Sequence, residues 1–113
     1  MRMWMVDPKL LCRKHLLGEH GEIHKHRHNF VKGHRITGRI EGNAVEPMSM
    51  ESRHDELAKE MVARGYNHQS PYKQPDLSAY PPDVREFTVD TDESMKMLVE
   101  RCDECRQRAC SVA

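Results

Sequence analysis

The chain has 113 residues, of which 37% are apolar, 5% aromatic and 32% charged. That length fits one domain with a small core built from Leu, Met, Val and Ile rather than from rings. No apolar run is long enough for a transmembrane helix or a signal-peptide core, and neither a myristoylation nor a prenylation motif is present, which makes the expected location cytoplasmic. Eighteen Lys and Arg balance eighteen Asp and Glu, but not evenly along the chain. Residues 1–39 hold nine basic and three acidic residues, a net +6, together with six of the eight His; residues 40–113 carry a net −6. A basic N-terminal third points to an anionic partner.

In chain order, Asp7-Pro8 supplies an N-cap and a first-turn proline for a first helix that runs to about residue 33. Gly18 and Gly21 weaken it, and Gly33 and Gly38 mark its end. Residues 39–48 read as a turn-rich connection. Ser49 or Ser52 starts a second helix over about 50–64, in which Met50, His54, Leu57 and Met61 recur at helical spacing and Gly65 stops the run. Residues 66–89 hold three Tyr and four Pro and read as a long loop with one short turn. Asp90-x-x-Glu93 opens a third helix over about 91–109, with a stripe of Met95, Leu98, Cys102, Cys105 and Ala109. The expected fold is all-α: a compact single domain, residues 1–113, of three main helices with a long Pro/Tyr-rich connecting loop.

On a wheel of 100° per residue, His15, Glu19, Glu22 and His26 fall in one sector of the first helix. Cys12, Leu16, Ile23 and Phe30 form the apolar stripe beside them. Two carboxylates and two imidazoles at the edge of a core are the groups from which acid–base sites are built; the plain alternative is that the two Glu solvate the helix and pair with Lys or Arg. His20, His24 and His28 form an i, i+4, i+8 ladder on the other side. Such a ladder can bind a divalent metal, but it reads first as a solvated basic face. Cys102-x-x-Cys105 is a lone pair that needs partners for zinc; Cys12 and a His complete a set only through folding. The thiols therefore read as a reduced, half-buried helix face, with no metal and no cofactor expected.

Several segments in order resemble the pyrimidine-dimer DNA glycosylases, the phage endonuclease V-like repair family. Lys14-His15-Leu16-Leu17-Gly18-Glu19-His20-Gly21-Glu22-Ile23 looks like that family's first-helix signature. The run from Arg53 to Asn67, ending Arg64-Gly65-Tyr66-Asn67, looks like its second helix and turn. Asp76-Leu77-Ser78-Ala79-Tyr80-Pro81-Pro82-Asp83-Val84-Arg85 resembles the following loop, and Glu93-Ser94 the start of the third helix. The resemblance implies a DNA repair glycosylase with AP-lyase activity that excises a damaged pyrimidine from duplex DNA, or acts at an abasic site, as a monomer in a bacterial or phage-infected cell. It implies an imine formed by the N-terminal α-amine, here of Met1, with Glu22 as the catalytic carboxylate. Arg2 matches a basic residue beside the amine, His15 a residue near the sugar, and Lys25 an Arg that contacts the dimer strand. Arg13 and Lys14, in the basic start of the same helix, are further expected DNA contacts. Gly21 stands where an Arg often precedes the Glu, the segment between the first two helices is shorter, and Cys replaces the aromatic residues of the C-terminal tail. The competing readings are a non-catalytic DNA-binding protein and a metal-binding protein that uses His20, His24, His28 or the Cys102–Cys105 pair.

Overall fold

Asp7 and Pro8 begin a structure that the sequence leads one to expect, but only for one turn. In the computed structural model, which describes residues 2–33, 42, 44–67 and 71–112, the Asp7 carboxylate caps the Lys9 amide at 3.0 Å and a 3-10 turn spans Pro8–Leu10. Leu11 and Cys12 are then extended, and the first long helix, α1, is Arg13–Val31 with Cys12 at its N-cap. The expected helix from residue 8 is thus broken at residues 11–12. Gly18 and Gly21 lie within α1 without interrupting it. Lys32 caps its end, and Gly33 follows at φ +71°, a conformation that costs glycine no Cβ clash.

The second helix, α2, is Met50–Ala63. It starts at Ser49, and Ser52 lies inside it, its hydroxyl donating to the Ser49 carbonyl. It ends in a Schellman turn: Gly65 N–H donates to the Val62 carbonyl and Tyr66 N–H to the Met61 carbonyl, with Gly65 at φ +85°. The 66–89 loop holds one helical turn, α3, Pro82–Arg85. Its Tyr66, Tyr72, Leu77, Tyr80 and Val84 pack on the core, with Tyr80 edge-on to Phe30 at 4.8 Å. The expected third helix is two helices. Asp90 accepts from the amides of Asp92 and Glu93 and opens α4, Thr91–Arg101; the chain is extended at Cys102 (φ −133°, ψ 112°); and α5 is Asp103–Val112. All regular structure among the described residues is helical, and no helix there is long and apolar enough to cross a membrane. Gly38 and four residues of the expected 39–48 connection (39–41 and 43) lie outside the described residues.

The expected apolar stripe of α1 is the core: Cys12, Leu16, Ile23 and Phe30 are buried, and Met50, Leu57 and Met61 of α2 meet them. The N-terminal segment joins the core as well. Met3 is wholly buried, its amide bonded to the Ala44 carbonyl at 2.7 Å, and Trp4 and Val6 are buried beside it.

Between α1 and α2 lies a buried ion pair. Glu19 and Arg53 are 0% and 2% exposed, and the guanidinium grips the carboxylate with two bonds, Nε–Oε2 at 2.5 Å and Nη2–Oε1 at 2.9 Å. Its Nη1 reaches the half-exposed Glu56. Burial alone would lower the Arg53 pKa, but the bonds and charges of Glu19 and Glu56 outweigh it and hold the guanidinium charged. Arg53→Met is predicted to destabilise the protein by ~3–5 kcal/mol, because it leaves the Glu19 carboxylate buried without its partner, and Glu19→Leu in the same chain should restore most of the loss. Denaturant titration of the single and double variants checks this; an Arg53→Met protein as stable as the parent would contradict it.

Candidate active site

α1 distributes its polar residues by their angle around the axis. His15 and Glu22 are seven residues apart, two turns on one face, about 10 Å along the helix. Glu19 lies one turn beyond His15 in the same sector, yet it is taken up by Arg53. Glu22 is not: its side chain is 15% exposed, and its nearest ionic partner is His26 Nε2 at 3.9 Å. Of the two carboxylates singled out by spacing, one therefore holds the fold and the other stands at the surface edge beside a buried imidazole.

His15 sits in the first turn of α1, half-buried. Burial lowers its pKa, the charge of Lys14 lowers it further, and Glu104 opposes both, so the ring is held neutral near pH 7. Trp4 meets His15 edge-on at 5.6 Å, and the Arg2 guanidinium lies over the Trp4 ring at 5.5 Å. Arg2 also approaches Glu93 at the start of α4, 3.9 Å away. Arg2, Trp4, His15, Met97, Leu98 and Arg101 line a groove of about 480 Å³. Met1 itself lies outside the described residues. Arg2 and His15 are thus brought together, beside the segment that carries Met1, and Glu22 lies farther along α1. A larger cleft of about 610 Å³, between Met5–Lys9 and the Glu56–Glu60 side of α2, holds none of the expected site residues.

The basic residues divide. Lys14, Lys25, Lys32 and His28 are exposed, and by helical angle they share one side of α1, next to Glu22. Gly21 is exposed on that same side, with open space around its Cβ position. Arg13 is turned elsewhere: its guanidinium stacks over Tyr66 at 5.4 Å, in a separate cleft with Arg64 and Arg108. The structure does not bring Arg13 to the groove that holds Arg2 and His15.

Two features differ from the sequence reading. His20 and His24 are not a solvated face. His20 is 9% exposed, its Nε2 lies 3.0 Å from the His54 Nε2 of α2, and His24 packs edge-on to both rings. Tyr72 stacks on His54 at 5.0 Å and closes this imidazole cluster from the loop side; burial pushes its hydroxyl pKa up. His28 alone of the ladder stays exposed. The second feature is Trp4, the one tryptophan of the chain, which sequence reasoning missed. Its signal was present: a single large ring within the first residues of a chain poor in aromatics has a specific place to fill.

A basic helix side beside a partly exposed carboxylate suits a polyanionic ligand. The sequence profile of the pyrimidine dimer DNA glycosylases matches residues 1–74. The chain belongs to that family, and DNA is its substrate class. No curated protein and no solved structure matches it.

Glu22→Gln is predicted to change stability by no more than about 1 kcal/mol, since a partly exposed acid 3.9 Å from its partner contributes little to the fold. Thermal unfolding checks this; a variant that fails to fold would make Glu22 a structural residue and remove it from the site.

Proposed function

We propose that the protein is a DNA glycosylase with AP-lyase activity that excises a damaged pyrimidine, a pyrimidine dimer above all, using the α-amine of Met1 as nucleophile and Glu22 as its carboxylate. The observation that carries the reading is the family match over the segment that holds Met1, Arg2, His15 and Glu22, within which Glu22 is free of the ion pair that takes up Glu19.

An α-amine titrates near ~7.7–8.0, so a useful fraction is neutral near pH 7, and the Arg2 charge at the next residue favours that neutral form. The amine attacks C1′ of the damaged nucleotide. The glycosidic bond breaks, its electron pair leaves with the pyrimidine, and a proton from solvent completes the released base. The attacking amine gives up a proton to solvent, its nitrogen lone pair then forms the C1′=N bond as the C1′–O4′ bond breaks, and O4′ takes up a proton, leaving a protonated imine between the Met1 nitrogen and C1′. Glu22 stabilises the positive charge that develops at the sugar during this step. It then takes a proton from C2′; the C3′–O3′ bond breaks, the 3′ phosphate leaves, and the strand is nicked. Water hydrolyses the imine and returns the amine. The exposed Lys14 and Lys25 contact phosphates, and the surface that they form with Glu22 offsets the few kcal/mol needed to expose C1′ in a duplex.

Borohydride trapping tests this. Untagged protein with a free Met1 amine, incubated with duplex DNA holding an abasic site or a cis-syn thymine dimer, should give a covalent adduct that mass spectrometry places on Met1. Blocking the amine should abolish the adduct, and Glu22→Gln should slow strand cleavage by ~10²–10⁴-fold. An adduct on abasic DNA alone would limit the activity to the lyase step. Folded protein that binds DNA and gives no adduct would leave a non-catalytic DNA-binding protein.

A further inference from the structure

Cys12, His15, Cys102 and Cys105 come together from opposite ends of the chain. Each pair has the same local design. Cys12 is the extended residue before α1, and His15 follows three residues later in the first turn; Cys102 is the extended residue before α5, and Cys105 follows three residues later in its first turn. The two helix starts face each other, so the four ligand atoms all lie within 4.8 Å of one another. Cys12 Sγ is 3.8 Å from Cys102 Sγ and 3.1 Å from His15 Nδ1, and Cys105 Sγ is 3.4 Å from the same nitrogen. For bonds of ~2.3 Å to sulfur and ~2.0 Å to nitrogen, the edges of a tetrahedron are about 3.8 Å between sulfurs and about 3.5 Å between sulfur and nitrogen.

Backbone amides of both helix starts face the sulfurs, while burial pushes the Cys105 pKa up. The Cys12 amide donates to Cys105 Sγ at 3.3 Å, and the amides of Glu104 and Cys105 donate to Cys102. Cys12 and Cys105 are 3% and 1% exposed, which suits a closed site with no open coordination position. The fold supplies an independent reason for a clip here. Among the described side chains of α5, Cys105 alone is buried. With one small side chain fully buried and an Arg108 Nε bond to the Lys9 carbonyl at 2.9 Å, the described part of α5 has little of the apolar burial that normally docks a helix.

We propose that Cys12, His15, Cys102 and Cys105 bind one zinc ion in a closed tetrahedral site that fastens α5 to the start of α1. Three thiolates and a neutral imidazole give the bound ion a net charge of −1, which the amides of two helix N-termini face. The site joins residues 90 apart in sequence, so it closes a long loop and ties the C-terminal helix to the residue, His15, that lines the Arg2 groove.

Elemental analysis of untagged protein, purified without chelator and under reducing conditions, should find one zinc per chain. Replacing zinc by cobalt should give the visible bands of tetrahedral cobalt with thiolate-to-cobalt charge transfer. Cys102→Ser and Cys105→Ser should each lose the metal, whereas Cys110→Ser, at an exposed position, should keep it. Stripping the metal should remove amide-exchange protection throughout α5 while α1 and α2 stay protected. If the cysteine variants do not fold, the cobalt spectrum of the parent decides. Folded parent protein without metal, and without thiolate–cobalt bands on cobalt addition, would overturn the proposal. So would metal retained in both cysteine variants, which would place it at His20, His24 and His54. None of these readouts depends on DNA or on Met1, so failure here leaves the repair reading standing, and the reverse.

Discussion

The buried pair of Glu19 and Arg53 is the constraint on which the rest of the molecule depends. A carboxylate removed from water is tolerable only with its charge matched and its lone pairs filled, and the two parallel bonds from Arg53 do both. The pair fixes the rotation of α1 about its own axis against α2. Once Glu19 must point at Arg53, the other residues of α1 have no freedom of angle: Leu16 and Ile23 face the core, Glu22 comes to the edge, and Lys14 and Lys25 face outward. Apolar packing alone would leave that rotation softer, since a stripe of Leu, Ile and Phe can slide by part of a residue at modest cost, whereas a buried bidentate pair cannot.

From this follows a division of labour between two like residues. Glu19 and Glu22 are both carboxylates of one sector, separated by three positions. One is consumed in holding the helix; the other stands partly exposed with His26 as its ionic neighbour, and is the carboxylate of the proposed function. The N-terminal segment is placed by similar means. Burial of Met3, Trp4 and Val6 anchors the chain beside α1, and Arg2 is held over Trp4 and near Glu93. The proposed use of the Met1 amine needs such an anchor, because termini fray unless tied down.

Much of this was legible in the residues. The apolar stripe of α1, the core positions of α2, the Gly65 stop and the Asp90 cap follow from local rules and stand where spacing puts them. What failed was whatever depended on neighbours. A helical wheel gives the angle of His20 and His24 but not the fact that His54 and Tyr72 cover that angle, so a face read as solvated is largely buried. The wheel likewise cannot divide Glu19 from Glu22, because the division is made by an arginine on another helix. The break at Cys102 was hidden, since residues 91–109 carry a continuous helical stripe and no glycine or proline. Cys12 could be named as a partner of the Cys102–Cys105 pair, but which of eight histidines joins them could not, because His15 is near in space and at the far end of the chain.

The proposed chemistry depends on which surface of α1 meets DNA. The most direct measurement is a crystal structure of the protein joined by borohydride to duplex DNA at an abasic site. Phosphates are expected along the Lys14 and Lys25 side of α1, with the Glu22 carboxylate against the reduced sugar. Strand density on the opposite cleft, where Arg13 stacks on Tyr66 beside Arg64 and Arg108, with Glu22 remote from the sugar, would contradict it.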